Sequence, residues 1–268
     1  MKILITGSSG YIGSHLTHRL LRDGHQIHGL DIVQPVIEPT KFICADIRNL
    51  GQWSEHYDAV VHLAALANVS ESVRIPSQYY ITNVNGTMNV LDIPTNNFIL
   101  ASTGAAEYAE SPYAISKRMC ESIVRELSRS EYTMFRFYNV TGMTVTTPTN
   151  PDGLLYNLIK AKTTGKFTIF GDDYNTFDGT CIRDYVHVME ICEAINTALY
   201  SPSNSLESLG HGIGKSVIEI VDLFKKVNDV NFDIEYAPRR RGDLAFNVLS
   251  NVSSYMKNLY SFDELLRV

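Results

Sequence analysis

Apolar positions in this chain fall into short runs, separated by segments whose apolar residues recur three and four apart, and the alternation repeats through the first half. The run Ile3-Leu4-Ile5-Thr6 is too short for a helix and stops at the cluster Gly7-Ser8-Ser9-Gly10, so it predicts a buried strand ending in a turn. From Tyr11 the spacing turns helical, with Ile12, His15, Leu16, Leu20 and Leu21 sharing a face. Further runs predict strands over Gln26 to Ile32, Lys41 to Ile47, Ala59 to Ala64, Asn97 to Ala101 and Tyr132 to Asn139. Helices are expected from Pro76 to Leu91 and from Pro112 to Ser128. The Ala59 run is almost wholly apolar, as a parallel strand covered on both faces requires. Strands alternating with helices in this way predict an α/β fold on a doubly wound parallel sheet.

Past Gly142 the texture changes, and Thr144 to Pro151 is a loop of Thr, Pro and Asn. The expected division is a Rossmann domain over 1–143, rejoined in part by 167–200, with a small α/β substrate-binding portion built from 144–166 and 201–268.

The first strand, turn and helix carry chemistry. Glycines at 7, 10 and 13 suit a dinucleotide-binding opening. Gly7 makes the tight turn, Gly10 admits a pyrophosphate to the backbone, and Gly13 lets the helix pack close. The first helical N–H groups, at Tyr11 and Ile12, then face the phosphates. Asp31 ends the second strand about twenty residues on, where a carboxylate accepts hydrogen bonds from the adenosine ribose and repels a 2′-phosphate, so NAD is expected rather than NADP. Asp46 and Ile47 close the third strand where adenine would lie, although Asp46 equally suits a helix cap. Leu63, Ala64 and Ala65 leave room for a cofactor at the fourth strand end, and Tyr138 joins the same set. Asn83 inside a helix is locally unfavourable and points to a specific hydrogen bond.

The fifth strand delivers Ser102 and Thr103, and the helix behind it places Tyr113 and Lys117 four apart on one face. Free tyrosine, with a pKa near ~10, is a poor base at neutral pH, but a neighbouring ammonium favours the phenolate. Tyr113 is therefore the candidate base, Lys117 its cationic partner and nicotinamide-ribose ligand, and Ser102 or Thr103 the hydroxyl that meets the same substrate group.

Composition narrows the function. Asp plus Glu number 29 against 23 Lys plus Arg, so no net basic field draws nucleic acid or an anionic membrane. The four cysteines, at 44, 120, 181 and 192, are scattered without metal-ligand or disulfide spacing, which fits a reducing, cytoplasmic setting. The N-terminus is itself the first strand, so no signal peptide or membrane span is expected.

Several strings, GSSGYIGSH, HLAALANVSESV, NVNGT, SPYAISK, GDDYNTFDGTCIRDYVHV and PRRRGD, together resemble the UDP-galactose 4-epimerases among the extended short-chain dehydrogenases, across nearly the whole chain. The resemblance implies NAD-dependent inversion at C4 of a UDP-hexose through a 4-keto sugar, with Tyr113 as base, Lys117 as partner and Thr103 or Ser102 as helper. It implies that Asn139, Phe170, Arg183, Tyr185, Arg240 and Asp243 contact the UDP-sugar, and that Asn247 bears on whether an N-acetyl sugar fits. Two arginines from different segments are the residue type that clamps a diphosphate. A homodimer is implied through the helices near Ser77 to Leu91 and Pro112 to Ser128. Nine residues separate Thr103 from Tyr113, fewer than the family normally has, and Ala67 stands where its members usually carry a lysine. A 4,6-dehydratase would need acids after Thr103, where Gly104 and Ala105 stand. A decarboxylase, a reductase or a non-catalytic NAD sensor would share the scaffold.

Overall fold

The computed structural model describes residues 1–240 and 242–268; Arg241, the last residue of the basic run Arg239 to Arg241, lies outside the described residues. Strands β1 (Lys2–Thr6), β2 (Gln26–Asp31), β3 (Lys41–Cys44), β4 (Tyr57–His62), β5 (Thr95–Thr103) and β6 (Glu131–Phe137) join the strand Ser205–Leu209 in one sheet of seven. Every pairing in it is parallel, in the order Ser205–Leu209, β6, β5, β4, β1, β2, β3. The chain runs outward from β1 to β3 and then returns to β4 on the other side of β1. That reversal opens a crevice beyond the carboxyl ends of β1 and β4, where ligands of such sheets bind.

Both faces of the sheet are covered. Helix Tyr11–Arg22 and helix Val188–Tyr200 bury Leu16, Leu20, Ile191 and Ile195 against Ile3, Ile5, Val61 and Phe135. The other face packs Leu4, Val60, Phe98 and Leu100 under Val84, Val90, Cys120 and Val124, from the segment Pro76 to Leu91 and helix Pro112–Leu127. A separate core, with Leu158, Phe167, Ile169, Ile220 and Phe224, holds helices Leu154–Thr164 and Val217–Asn228 against the paired strands Lys166–Phe170 and Asp233–Ala237. Ser205–Leu209 falls in the stretch assigned from sequence to the substrate portion, yet it is the edge strand of the main sheet.

Several boundaries differ from the sequence reading for local reasons. β3 stops at Cys44 because Asp46 caps a short 3-10 turn, its carboxylate accepting the Arg48 N–H at 2.9 Å. β5 continues to Thr103, so both hydroxyl residues lie within the strand. β6 ends at Phe137, since Asn139–Thr141 leaves the sheet to pair with Tyr185–His187. Pro76 to Leu91 is helical throughout but widens to a π turn over Tyr80–Asn85. Helix Val69–Arg74, capped by Asn68, was not expected. Among the described residues no helix is long and apolar enough to cross a membrane.

Candidate active site

A single cleft of about 560 Å³ runs from the glycine turn after β1, past Tyr113 and Lys117, to Arg183 and Arg240. Its first wall is dictated by the absence of side chains. Gly7 holds φ +73°, and a Cβ there would lie 2.7 Å from the Ala64 nitrogen; a Cβ on Gly13 would lie 2.0 Å from the Gly7 carbonyl oxygen. Only glycine permits this contact of strand and helix. No side chain caps the helix at Gly10, which leaves first-turn N–H groups at Tyr11, Ile12 and Gly13 for an anion. Tyr11 spends its own hydroxyl on the carbonyls of Thr141 and Gly142, fastening the turn to the second half of the chain.

The residues expected around a dinucleotide separate into two groups. Gly7, Gly10, Tyr11, Ile12, Gly13, Leu63, Ala65 and Tyr138 line the cleft. Asp31 stands at the end of β2, accepting from Ser9 N at 3.0 Å and from Val33 N at 3.1 Å, each on a different oxygen. Asp31, like Asp46, Ile47, Ala64 and Asn83, does not line the cleft. Asp46 is engaged with Arg48 through its guanidinium as well as its N–H, which favours the cap over the adenine reading. Ile47 is buried in the core, filling the space above Gly86. Ala64 packs on Gly7. Asn83 is buried and makes the bonds its helical position called for, but to the chain itself. It accepts from Leu66 N at 2.8 Å and donates to Leu66 O at 3.0 Å and Ser116 Oγ at 2.9 Å.

Tyr113 and Lys117 come off the first turns of helix Pro112–Leu127, where Ser111 caps the N-terminus by accepting from Ala114 N at 3.2 Å and Pro112 takes the first position. Both line the cleft. Burial raises the Tyr113 phenol and the Thr103 hydroxyl lowers it, the balance leaving it at about 12. Burial lowers the Lys117 ammonium, which has no salt bridge or hydrogen bond among the described residues. The two hydroxyl candidates on β5 therefore part company. Both line the cleft, but Ser102 commits its hydroxyl to Glu121 Oε1 at 2.5 Å, which leaves Thr103 as the hydroxyl that acts on the Tyr113 phenol.

At the far end Arg240 lies flat over Phe170, its guanidinium carbon 3.7 Å from the ring centre, and donates to the Asp152 carbonyl at 3.2 Å. Arg183 donates to its neighbouring carbonyl at Ile182 and pairs with no acid among the described residues. Asp184, the obvious candidate for such a pairing, instead accepts three backbone N–H groups, from His211 and Gly212 at 2.8 Å and from Leu249 at 3.2 Å. Arg239 does pair, with exposed Asp173 at 2.6 Å, and so belongs to the surface. Asn139 donates to the Asp184 carbonyl at 2.9 Å while lining the cleft. Tyr185 and Asn247 each line the cleft with a buried polar atom, the phenol oxygen and the amide oxygen, that has no partner among the described residues. Asp243 lines it too, its carboxyl raised by burial and lowered by Arg183 and Arg240.

Sequence reasoning assigned Thr149, Asn150 and Asp152 to the substrate-binding portion without singling them out, because nothing in that stretch marks individual residues, yet all three stand on the cleft wall. It also passed over Glu121 and Arg136. The one signal for them was an arginine inside a buried strand pattern, which demands an acid elsewhere.

Residues 3–209 match the model of the NAD dependent epimerase/dehydratase family. The UDP-glucose 4-epimerase of Lactobacillus helveticus is 33% identical over 285 residues, covering 91% of this chain and 86% of that protein. Its counterpart from Neisseria meningitidis serogroup B is 31% identical over 296 residues, covering 91% and 87%. Among solved structures, the UDP-glucose 4-epimerase of Stenotrophomonas maltophila with bound NAD and formylated UDP-arabinopyranose superposes with a TM-score of 0.88 at 26% identity, over 99% of this chain and 96% of that one. That of Thermotoga maritima with UDP-glucose gives 0.86 at 26% identity, over 100% and 96%.

Proposed function

The chain belongs to the NAD dependent epimerase/dehydratase family, and from that premise we propose that it inverts C4 of a UDP-hexose, interconverting UDP-galactose and UDP-glucose through a 4-keto sugar. The observation that carries this reading is the continuity of one cleft. It joins a dinucleotide turn, a half-buried Tyr113 that shares the cleft with Thr103, and two arginines free of acid partners among the described residues.

NAD, when bound, would supply the hydride acceptor and donor for C4. The turn at Gly7, Gly10 and Gly13 would hold its pyrophosphate, Asp31 its adenosine ribose and Lys117 its nicotinamide ribose. The remaining work falls to this chain's own side chains. Tyr113 takes the proton of the C4 hydroxyl and later gives it back, with Thr103 in hydrogen-bonding reach of the phenol to steady it. Arg183 and Arg240 grip the diphosphate, and Asn139, Phe170, Tyr185, Asp243 and Asn247 hold the rest of the nucleotide sugar. Keeping the diphosphate fixed while the sugar turns lets either face of C4 meet the same hydride path.

The enzyme works as a homodimer in the cytoplasm. Ile81, Met88, Ile115 and Met119 are exposed on the segment Pro76 to Leu91 and helix Pro112–Leu127, an apolar surface a second copy would cover. All four cysteines are free, which suits a reducing compartment.

The test is conversion of UDP-galactose to UDP-glucose by purified protein without added cofactor, beside Tyr113→Phe. Activity that vanishes in the variant is expected. No conversion by either protein, with NAD supplied, would overturn the reading.

A further inference from the structure

We propose that Glu121 is the positioning residue of this active site, fixing the strand end that presents Thr103 to the helix that carries Tyr113 and Lys117. The proposal rests on the epimerase reading above.

Glu121 is buried on helix Pro112–Leu127, one turn beyond Lys117. Its Oε1 accepts from Ser102 Oγ at 2.5 Å and from Arg136 Nε at 2.9 Å, and its Oε2 from Arg136 Nη2 at 2.8 Å. Ser102 belongs to β5 and Arg136 to β6, so one carboxylate ties two strand ends to the helix bearing the base. The two-pronged arginine contact adds direction as well as energy. A buried ion pair is a weak source of stability, and an apolar pair of the same volume packs as well. What apolar residues cannot reproduce is the direction of the bonds and the charge.

Direction matters because Ser102 immediately precedes Thr103. Anchoring Ser102 on the helix sets the height and angle at which Thr103 is presented to the cleft that it shares with Tyr113, on the same helix two turns earlier. Charge matters because Lys117 is buried without a hydrogen bond among the described residues. The groups that face it are Cys120 and Glu121 on its own helix and His62 on β4. Burial pushes the Cys120 thiol up and lowers His62 to about 3, so both are neutral at working pH. Glu121 is then the anion that helps keep Lys117 cationic, four residues away on the same face. Arg136 supplies the counter-charge on the far side, itself facing Glu107 and Tyr138 besides Glu121.

The decisive experiment compares wild type, Glu121→Gln and Ser102→Ala by UDP-galactose conversion over a pH series, with UDP binding and thermal unfolding measured in parallel. For Glu121→Gln we expect kcat to fall by about tenfold or more, as misplacement of reacting groups does. KM and UDP affinity should stay within about threefold, because the nucleotide grip is untouched, and the basic limb of the kcat profile should move to lower pH as Lys117, without its anion, gives up its proton more readily. Ser102→Ala keeps the ion pair and should lose kcat by about fivefold with KM unchanged. Wild-type kcat and an unmoved limb in Glu121→Gln overturn the proposal. So does a parallel loss of kcat, UDP affinity and thermal stability, which is what a purely structural bond would give. If Glu121→Gln does not fold, Ser102→Ala decides, and wild-type kcat there overturns it. A wild-type protein that leaves the sugar unchanged refutes the epimerase reading instead, and this proposal with it.

Discussion

Tyr79 stands edge-on to Tyr113, ring centres 6.3 Å apart at 77°, and is itself pinned by donating to Glu71 at 2.9 Å while accepting from Asn68 N at 3.2 Å. The base thus leans on a tyrosine that is fully buried and cannot swing. Tyr79→Leu removes that backing, and kcat should fall by about tenfold with a smaller change in KM. Tyr79→Phe keeps the ring and strands the partners of its hydroxyl, so it should cost about 1 kcal/mol of stability while leaving kcat near wild type. Steady-state kinetics beside urea unfolding separate the two, and a kcat loss as large in Phe as in Leu would contradict the backing role.

Burial raises the Tyr113 phenol and the hydroxyl of Thr103 lowers it, leaving it at about 12. Thr103→Val removes the lowering influence, so the phenol titrates higher still. A base must be deprotonated to act, so a higher pKa means less phenolate at neutral pH and a slower enzyme. The acidic limb of the kcat profile should move to higher pH, with a loss of about 10- to 100-fold at pH 7. A profile superimposable on wild type would remove Thr103 from the mechanism.

What the sequence makes legible is what is local. Gly7, Gly10 and Gly13 lie within one turn and the start of one helix, and Tyr113 and Lys117 are four apart, so spacing alone carries their geometry. Six of the seven strands of the parallel sheet are legible from their own residues, whereas Ser205–Leu209, half-buried along most of its length, carries no such pattern. Ser102 and Glu121 are 19 apart in sequence, and Arg136 lies 15 beyond Glu121, so no spacing rule joins them. Asn83 shows the intermediate case. Its cost inside a helix was readable, but its partners at Leu66 and Ser116 are set by the packing of three segments. The second half is hardest to read because its strands are as short as Ile182–Arg183 and Phe246–Asn247, too brief to show a period.

Gly13 offers a test of the cofactor turn that needs no substrate. A Cβ there would sit 2.0 Å from the Gly7 carbonyl, backbone against backbone, and the turn cannot give way without moving β1 from Ala64. Gly13→Ala should be recovered without NAD, whereas Gly24→Ala, where a Cβ meets nothing within 4 Å but φ is +83°, should keep the cofactor and lose about 1 kcal/mol of stability. Extraction and quantification of bound nucleotide decides it, and equal NAD content in the two variants would refute the role given to the turn.

His211 and Glu190 form a buried pair at 2.8 Å, and the same carboxylate accepts from His187 N at 3.0 Å and Leu259 N at 2.7 Å, so the pair holds the C-terminal segment to helix Val188–Tyr200. The bond to Glu190 raises His211 above its ordinary 6.5, and the bonds to His211 and His187 leave Glu190 below its ordinary 4.5 despite burial. A raised histidine contributes stability that is complete below 6.5 and is lost as pH climbs through the folded value. A depressed carboxylate contributes stability that is complete above 4.5 and is lost as pH falls through its folded value. The pair is therefore worth most between those two ordinary values. His211→Gln should cost about 3 kcal/mol near pH 5.5 and clearly less at pH 9. Urea unfolding of both proteins at the two pH values measures the difference, and a cost that does not shrink at pH 9 would mean the histidine acts through packing alone.

Arg240 and Arg239 are neighbours with opposite duties, and their contrast tests the substrate end of the cleft. Arg239 is exposed and paired with Asp173, so a ligand would have to break an existing bond to use it. Arg240 lies on Phe170 with its charge uncompensated by any salt bridge among the described residues, held level by the Asp152 carbonyl. Such a guanidinium is already desolvated on one face and oriented, so a diphosphate gains its charge-assisted bonds without first ordering the side chain. Arg240→Ala should weaken UDP binding by about 100-fold, and Arg240→Lys should recover only part of that, since an ammonium neither stacks nor forks. Arg239→Ala should stay within about twofold, as exposed ion pairs contribute little. Calorimetric titration with UDP gives all three values, and a loss in Arg239→Ala as large as in Arg240→Ala would move the phosphate grip out of this cleft.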